Sequence, residues 1–188
     1  MPGNGQPAHG APGPQWGWYP LTDSWARSLV EAADVRTGDL VLDVGAGDGA
    51  LTRHLVAAGA RVLALELHPR RAALLRERFA DAPVTVLKVD ARDLRLPHRP
   101  FRVVANPPYA ITSDLVRRLL SPGSRLVEAH LVLQRGAARR LAAGRAPGSG
   151  RWARDWEVGM GPAVPRTAFR RPPRVDSAVL ILRRRAAR

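Results

Sequence analysis

The spacing of apolar and polar residues along the chain changes repeatedly, and each change predicts a new secondary-structure element. Residues 21–35 carry apolar side chains at helical spacing, and Thr22 or Asp23 can cap the start of that helix. After it, short apolar runs of strand length alternate with helical patterns. The predicted units are strand, turn and helix over 39–60, strand and helix over 61–80, strands over 84–94 and 101–109, a helix over 113–121, a strand over 125–134 and a helix over 135–144.

The last two apolar runs, 156–164 and 177–185, have no helical pattern between them, so we expect an antiparallel pairing there. Strands that alternate with helices predict a parallel sheet with right-handed crossovers. The predicted fold class is therefore α/β, with a mostly parallel seven-stranded sheet, helices on both faces and an antiparallel last strand. Residues 145–152 are predicted to form a loop. Residues 1–15 are rich in Gly and Pro and are predicted to be a disordered leader, and residues 16–188 one domain.

Composition narrows the class of protein. The 188 residues include no cysteine, which excludes disulfides and thiolate metal sites, and no His, Asp or Glu cluster has metal-ligand spacing. No apolar run approaches the roughly 20 residues needed to cross a membrane. The first residues lack the order of a secretory signal. We therefore expect a soluble, cytoplasmic protein without a metal.

The net charge of +14 is concentrated in one half of the chain. Residues 1–114 carry 13 basic and 12 acidic side chains, whereas residues 115–188 carry 17 basic and 4 acidic ones. A GC-rich genome would explain arginine in place of lysine, but it would not explain why acidic residues become rare in one half. The asymmetry favours a polyanionic partner, above all nucleic acid.

A glycine-rich turn and two acidic residues indicate a nucleoside cofactor. In "DVGAGDG", residues 43–49, Gly45, Gly47 and Gly49 lie between a predicted strand and helix, where backbone N–H groups can approach a ligand. Glu66 ends the next strand and can accept hydrogen bonds from both ribose hydroxyls, and Asp90 follows the third strand, where an adenine amino group would lie. The spacing G-x-G-x-G differs from the dinucleotide pattern G-x-G-x-x-G and favours S-adenosylmethionine over NAD.

The fourth strand ends in "NPPY", residues 106–109. Two prolines remove two backbone donors and stiffen the loop, which leaves carbonyl oxygens free to accept hydrogen bonds. Asn106 adds an acceptor, and Tyr109 adds a flat ring. This combination suits a planar group that carries an amino nitrogen.

Five segments together carry a family resemblance: "VLDVGAGDGALT", "LALELHP", "VDARDLRLP", "VVANPPY" and "FRRPPRVDSAVLIL". Over residues 16–185 the chain resembles the Rossmann-like adenine-N6 methyltransferases that act on ribosomal RNA, and within them the erythromycin-resistance (Erm) group. The segments "AFRRPPRVDSAV" and "LVLQRGAARRL" narrow the resemblance to the ribosomal RNA branch. It implies a class I methyltransferase fold and methyl transfer from S-adenosylmethionine to N6 of an adenine in 23S rRNA, free or in an immature large subunit, with resistance to macrolide-type antibiotics.

The resemblance also implies site residues. Those implied to bind the cofactor are Tyr19, Leu21, Gly45, Gly47, Glu66, Asp90 and Asn106. Asn106 and the Pro107 carbonyl would accept hydrogen bonds from the adenine amino group, which favours a pyramidal nitrogen with a free lone pair. Tyr109 would stack on the flipped base, and Phe169 would meet it from the other side.

Two departures from the family affect these expectations. The family usually has Gly-Gln-Asn/His-Phe-Leu where this chain reads "GWYPL", so Tyr19 replaces a polar cofactor contact. Most relatives continue into a C-terminal helical domain after the last strand, whereas this sequence ends at Arg188, so we expect a short form without that domain. RNA binding is then expected to come from arginines of the catalytic domain, namely Arg117, Arg118, Arg135, Arg139, Arg140, Arg170, Arg171 and Arg174. We also expect a monomer.

Two other functions remain open at this stage. The same fold could serve as a non-catalytic RNA-binding or ribosome-assembly factor, although pure binding would not require Glu66, Asp90 and the NPPY loop. It could also methylate DNA adenine or a protein glutamine, because NPPY loops serve those substrates as well.

Overall fold

The computed structural model describes residues 19–145, 150 and 152–185. The predicted disordered leader, residues 1–15, and much of the predicted loop 145–152 lie outside the described residues. Within the described part of the chain, no helix is long and apolar enough to cross a membrane.

A seven-stranded sheet forms the centre of the fold, with strand order β3-β2-β1-β4-β5-β7-β6. The strands are β1 Leu40–Val44, β2 Arg61–Leu65, β3 Val84–Leu87, β4 Phe101–Ala105, β5 Leu126–Gln134, β6 Trp156–Val164 and β7 Ser177–Arg184. The helices are α1 Asp23–Ala32, α2 Ala50–Ala57, α3 Pro69–Arg78, α4 Thr112–Leu119 and α5 Arg135–Ala142. Strands β1 to β5 pair in parallel, and β7 pairs antiparallel with both β5 and β6. The predicted α/β fold with an antiparallel last strand is confirmed.

The central strands β1 and β4 are buried on both faces, which explains why they are continuous apolar runs, whereas the edge strands β3 and β6 are largely exposed or half-buried. On β1, Leu40, Leu42 and Val44 join a core cluster with α4 and α5, whereas Val41 joins a second cluster with α1, α2 and α3. Successive side chains of a strand point to opposite faces, so one five-residue strand supplies both cores.

The parallel strands end at one edge of the sheet, and the chain reverses its direction of progress through the sheet between β1 and β4. Ligands of open α/β sheets bind in the crevice at such a reversal. The glycine turn follows β1, Glu66 follows β2, and Asn106 follows β4. The fold therefore gathers the predicted site residues at the crevice.

Candidate cofactor and base-binding site

The glycine turn after β1 lies directly against the NPPY loop. Gly45 has a φ of 76°, and its backbone N–H donates to the Leu65 carbonyl at 2.8 Å. A Cβ atom placed on Gly45 would lie 2.9 Å from Cδ of Pro108. The two loops can approach this closely only because residue 45 has no side chain.

We expect Gly45→Ala to lower both cofactor affinity and turnover by about tenfold or more, because the new methyl group would push the NPPY loop away. Gly123→Ala is the matched control, since Gly123 has a φ of 78° but no atom within 4 Å of its Cβ position. Calorimetric binding and methyl-transfer rates would compare the two variants. Equal losses in both variants would mean that alanine at a positive φ destabilises the whole protein, and that the contact with Pro108 has no effect of its own.

Glu66 connects the glycine turn to the segment after β2. The residue is 5% exposed. Its Oε2 accepts a hydrogen bond from the Gly47 N–H at 2.9 Å, and its Oε1 accepts one from the His68 N–H at 2.8 Å. The sequence predicted a ribose acceptor only. Each carboxylate oxygen has a second lone pair, so Glu66 can hold the turn and still accept from a ligand.

A cavity of about 460 Å³ lies at this edge of the sheet, a size typical of small-molecule sites. Gly45, Glu66 and Asp90 line it, together with Pro108 of the NPPY loop. Of the predicted cofactor residues, these three share the cavity wall, whereas Tyr19, Leu21, Gly47 and Asn106 lie outside its lining.

Asp90 is held by a neighbouring arginine that was not among the residues predicted from the sequence. The Arg92 guanidinium donates to Asp90 Oδ2 at 2.7 Å, and the Arg92 backbone N–H donates to Oδ1 at 2.9 Å. Hydrogen bonds from Arg92 hold the pKa of the Asp90 carboxyl below its usual value. Asp90 therefore stays ionised and can accept a hydrogen bond from a ligand amino group.

Asp43 lies at the end of β1, just before the glycine turn, and its side chain is buried. It is 1% exposed and accepts a hydrogen bond from the Thr52 hydroxyl at 2.7 Å. Burial raises the pKa of its carboxyl to about 7, and the nearby Glu66 carboxylate acts in the same direction. The hydrogen bond ties β1 to α2 on either side of the turn.

Asn106 and Tyr109 of the NPPY loop form an aromatic and polar cluster with Tyr19, and none of these three residues lines the cavity. The Asn106 Nδ2 donates to the Tyr19 carbonyl at 2.7 Å. The Tyr109 ring stacks on the Tyr19 ring with centroids 5.5 Å apart, and its hydroxyl lies 2.7 Å from the Ser177 hydroxyl. Burial raises the pKa of the Tyr109 hydroxyl.

Leu21 and Phe169 are packed inside the protein. They form a β-bridge with each other and are 2% and 3% exposed. Both belong to the core cluster on the α1, α2 and α3 face. Their predicted contacts with cofactor and base remain predictions. In this conformation a base could reach the Phe169 ring only if covering side chains moved.

The structure separates the predicted RNA-binding arginines into two groups. Arg118 donates to the backbone carbonyls of Leu94 at 2.8 Å and Arg92 at 2.6 Å, so its guanidinium holds the turn that carries Asp90. Arg117 pairs with Asp114, and Arg170 pairs with Asp48. If these three arginines bound RNA, they would have to give up their bonds within the protein. The sequence could not show these bonds for Arg118 and Arg170, because their partners are far away in the sequence.

The remaining five predicted arginines are exposed, and within the described residues their guanidinium groups form no hydrogen bond or ion pair with an acidic side chain. We call this set the free arginine surface: Arg135, Arg139, Arg140, Arg171 and Arg174. The Arg135 backbone N–H donates to the Asp176 carbonyl at 2.8 Å, which joins the start of α5 to the loop before β7. This contact brings the start of α5 next to the loop that carries Arg171 and Arg174.

Two further site residues have only weak sequence signals. Arg71 lines the cavity near Glu66 because it lies in the first turn of α3, which begins just after β2. Ser177 meets Tyr109 from the first position of β7, and these two residues are 68 positions apart in the sequence. Ser177 and Tyr109 are brought together only by the fold.

The geometry can hold a nucleoside in the cavity and a second planar group beside Asn106 and Tyr109. Within the described residues, the Asn106 Oδ1 and the Pro107 carbonyl accept no hydrogen bond. Two acceptors on a stiff loop beside an aromatic ring match an exocyclic amino group on a base.

Comparisons with known proteins identify a family for the chain. The family model described as "Ribosomal RNA adenine dimethylase" matches residues 22–188. The chain is 38% identical over 162 residues to the mycinamicin-resistance protein MyrB of Micromonospora griseorubida, an alignment that covers 85% of this chain and 51% of that protein. It is 33% identical over 171 residues to ribosomal RNA small subunit methyltransferase A of Pseudomonas putida, covering 82% of this chain and 62% of that protein.

Among solved structures, the crystal structure of the 23S rRNA methyltransferase ErmE is similar, with a TM-score of 0.80 and 33% sequence identity. The match covers 89% of this chain and 70% of that one. The chain spans about half to three fifths of the length of the curated relatives that it matches.

Proposed function

The chain belongs to the ribosomal RNA adenine dimethylase family, and we propose that it transfers a methyl group from S-adenosylmethionine to N6 of an adenine in 23S rRNA. The observation that carries the proposal is the contact between the glycine turn and the NPPY loop at Gly45 and Pro108. The cavity at this contact is large enough for a nucleoside, and Pro108 in its wall belongs to the same loop as the two free acceptors of Asn106 and Pro107. A protein that only binds a ligand would need either the cavity or the acceptors. Methyl transfer to an amine needs the cofactor cavity and the acceptors for the amine side by side.

The residues at the cavity fit S-adenosylmethionine. Glu66 would accept from the ribose hydroxyls and Asp90 from the adenine amino group, while the absence of a side chain at Gly45 lets the NPPY loop pack against the glycine turn. When bound, S-adenosylmethionine supplies an electrophilic methyl group on a sulfonium sulfur.

The NPPY loop would make the amino nitrogen of the target adenine a better nucleophile. The Asn106 Oδ1 and the Pro107 carbonyl would each accept one amino hydrogen of the adenine, which draws the nitrogen lone pair out of conjugation with the ring. Because the loop is stiff and the Asn106 amide is already oriented, little reorganisation accompanies the reaction. A methylated ammonium centre is acidic and can lose its proton to water, so no dedicated base is required.

The free arginine surface would hold the RNA backbone. Arg135 and Arg139 are neighbours on one face of α5, as residues at i and i+4 are. Exposed guanidinium groups without acidic partners can pair with phosphates at little internal cost. This proposal replaces the broader set of eight arginines expected from the sequence.

We expect the affinity for an rRNA stem-loop to fall steeply with salt. Five phosphate contacts would give a log–log slope of about −3.5, at about −0.7 for each single-strand phosphate. Arg135→Gln with Arg139→Gln should flatten the slope by about 1.4 and leave cofactor binding intact. Fluorescence anisotropy titrations at several salt concentrations would measure both slopes.

Arg61→Gln with Arg125→Gln is the control. It removes the same charge at exposed positions near the starts of β2 and β5, on the opposite edge of the sheet. If the control pair flattened the slope as much as the α5 pair, RNA binding would follow net charge and not the free arginine surface.

A second candidate is methylation of an adenine in small-subunit rRNA. The similarity to small subunit methyltransferase A at 33% identity favours it. Expression in a macrolide-sensitive bacterium, followed by mass spectrometry of both rRNAs, would separate the candidates. The 23S proposal expects higher macrolide tolerance and new N6-methylated adenine in 23S rRNA. Modification of 16S rRNA alone, at unchanged tolerance, would establish the second candidate instead.

A further inference from the structure

Tyr19 contacts both Asn106 and Tyr109 of the NPPY loop, although it lies far before them in the sequence. Its ring stacks on that of Tyr109, with a centroid distance of 5.5 Å and an angle of 23° between the planes. Its backbone carbonyl accepts the Asn106 Nδ2 hydrogen bond at 2.7 Å. Tyr19 also lies outside the lining of the cofactor cavity, which is where the family resemblance would put this position.

The contact with Asn106 decides which end of its amide is available. An amide has one acceptor oxygen and one donor nitrogen. Because the Tyr19 carbonyl can only accept, the nitrogen turns toward it and the Oδ1 remains as the free acceptor. An adenine amino group needs an acceptor, so this orientation is the productive one.

The Tyr109 ring is held in two ways, by stacking on the Tyr19 ring and by a hydrogen bond of its hydroxyl group. The Tyr109 hydroxyl lies 2.7 Å from the hydroxyl of Ser177, which is 2% exposed on β7. Tyr19 covers one face of the ring. A target base can therefore stack only on the opposite face.

The segment that carries Tyr19 is itself anchored. The Pro20 carbonyl accepts from the Arg170 N–H at 2.9 Å, and the Thr22 N–H donates to the Ala168 carbonyl at 2.8 Å. The Arg170 side chain continues to Asp48 in the glycine turn. Tyr19 thus belongs to a connected set of contacts between the 166–170 segment, the glycine turn and the NPPY loop.

We propose that Tyr19 is a positioning residue for the target adenine: its ring supports Tyr109 so that one face receives the base, and its carbonyl sets the orientation of Asn106. The inference rests on the proposed function and assigns Tyr19 to the base side of the site, not to the cofactor side. The backbone carbonyl persists in any variant, so substitutions test the ring.

Steady-state methyl transfer to rRNA, with cofactor affinity from calorimetry, tests the proposal. Tyr19→Ala should lower kcat by about tenfold with a cofactor Kd that changes less than about twofold, since a displaced ring misplaces the base. Tyr19→Phe should restore the rate, because stacking needs the ring and not the hydroxyl. Trp25→Ala is the control, since Trp25 is another half-buried aromatic that packs against the same core cluster as Tyr19.

The double variant Tyr19→Ala/Tyr109→Ala shows whether Tyr19 acts through Tyr109. If it does, the double variant should be no slower than Tyr109→Ala alone. Additive losses, an unchanged rate in Tyr19→Ala, or a loss that appears mainly in cofactor affinity would each overturn the assignment.

Nuclear magnetic resonance of the two tyrosines separates failure of this inference from failure of the proposed function. Tyr19 and Tyr109 are the only tyrosines in the chain, so ring-labelled protein gives two assignable sets of signals. Contacts between the two rings in solution support the packing, and their absence would overturn the proposal even in an active enzyme. A wild type that shows ring contacts but methylates no rRNA would refute the proposed function, and with it the role of Tyr19 in that reaction.

Discussion

Asn106→Ala is expected to lower the rate of methyl transfer by about 10²–10³-fold, because it removes a preorganised acceptor aimed at the reacting amine. Glu66 and Asp90, which line the cavity, are the proposed main anchors of S-adenosylmethionine, so the cofactor affinity should change less than the rate. Single-turnover rates and calorimetric binding would separate the two effects. Near-normal rates in a folded Asn106→Ala protein would mean that the NPPY loop is not the reaction site.

Asn106→Asp and Gln134→Ala sharpen this test. Aspartate keeps an acceptor but cannot donate to the Tyr19 carbonyl, so its rate should fall between those of the wild type and the alanine variant. Gln134→Ala removes a half-buried carboxamide from the end of β5 at the same edge of the sheet. Gln134 has no role in the proposed mechanism, so its loss should leave the rate nearly unchanged.

Glu66→Ala should weaken S-adenosylmethionine binding by about 1–3 kcal/mol, which is about 5- to 150-fold. The variant removes the proposed ribose acceptor and also leaves the N–H groups of Gly47 and His68 without the oxygens to which they donate. Both the cofactor affinity and the melting temperature without cofactor should therefore fall. Glu77→Ala, at an exposed position of α3, is the matched control and should change neither.

The combination of effects in Glu66→Ala is informative. A lower melting temperature with unchanged cofactor affinity would limit Glu66 to connecting the two loops. An unchanged melting temperature with weaker binding would indicate that water replaces the carboxylate in the folded protein. The structure favours losses in both, because the carboxylate is 5% exposed and shared between two loops.

The sequence was sufficient for the features that depend on neighbouring residues. Apolar runs of strand length alternating with helical patterns predicted all seven strands and their neighbouring helices, and the missing helix between the last two runs predicted the antiparallel β7. The residues after β1, β2 and β4 were expected at one edge because parallel strands end together. Gly45 and Glu66 were predicted as site residues because each directly follows a predicted strand.

The features that the sequence did not predict depend on which surfaces meet in the folded chain. The stacking of Tyr19 on Tyr109 and the hydrogen bond between Tyr109 and Ser177 join residues far apart in sequence. Arg118 resembles any exposed arginine in the sequence, yet it binds two carbonyls of a distant turn. No local pattern encodes such contacts, since they are set by tertiary packing.

The most direct test of the proposed activity is an assay with purified protein, methyl-labelled S-adenosylmethionine and deproteinised 23S rRNA, 16S rRNA or DNA as separate acceptors. Digestion to nucleosides and mass spectrometry would identify the product. We predict N6-methylated adenosine in 23S rRNA at a single site, and loss of nearly all product with Asn106→Ala. Label on another atom or in DNA alone, or no transfer by a protein that binds the cofactor, would contradict this prediction.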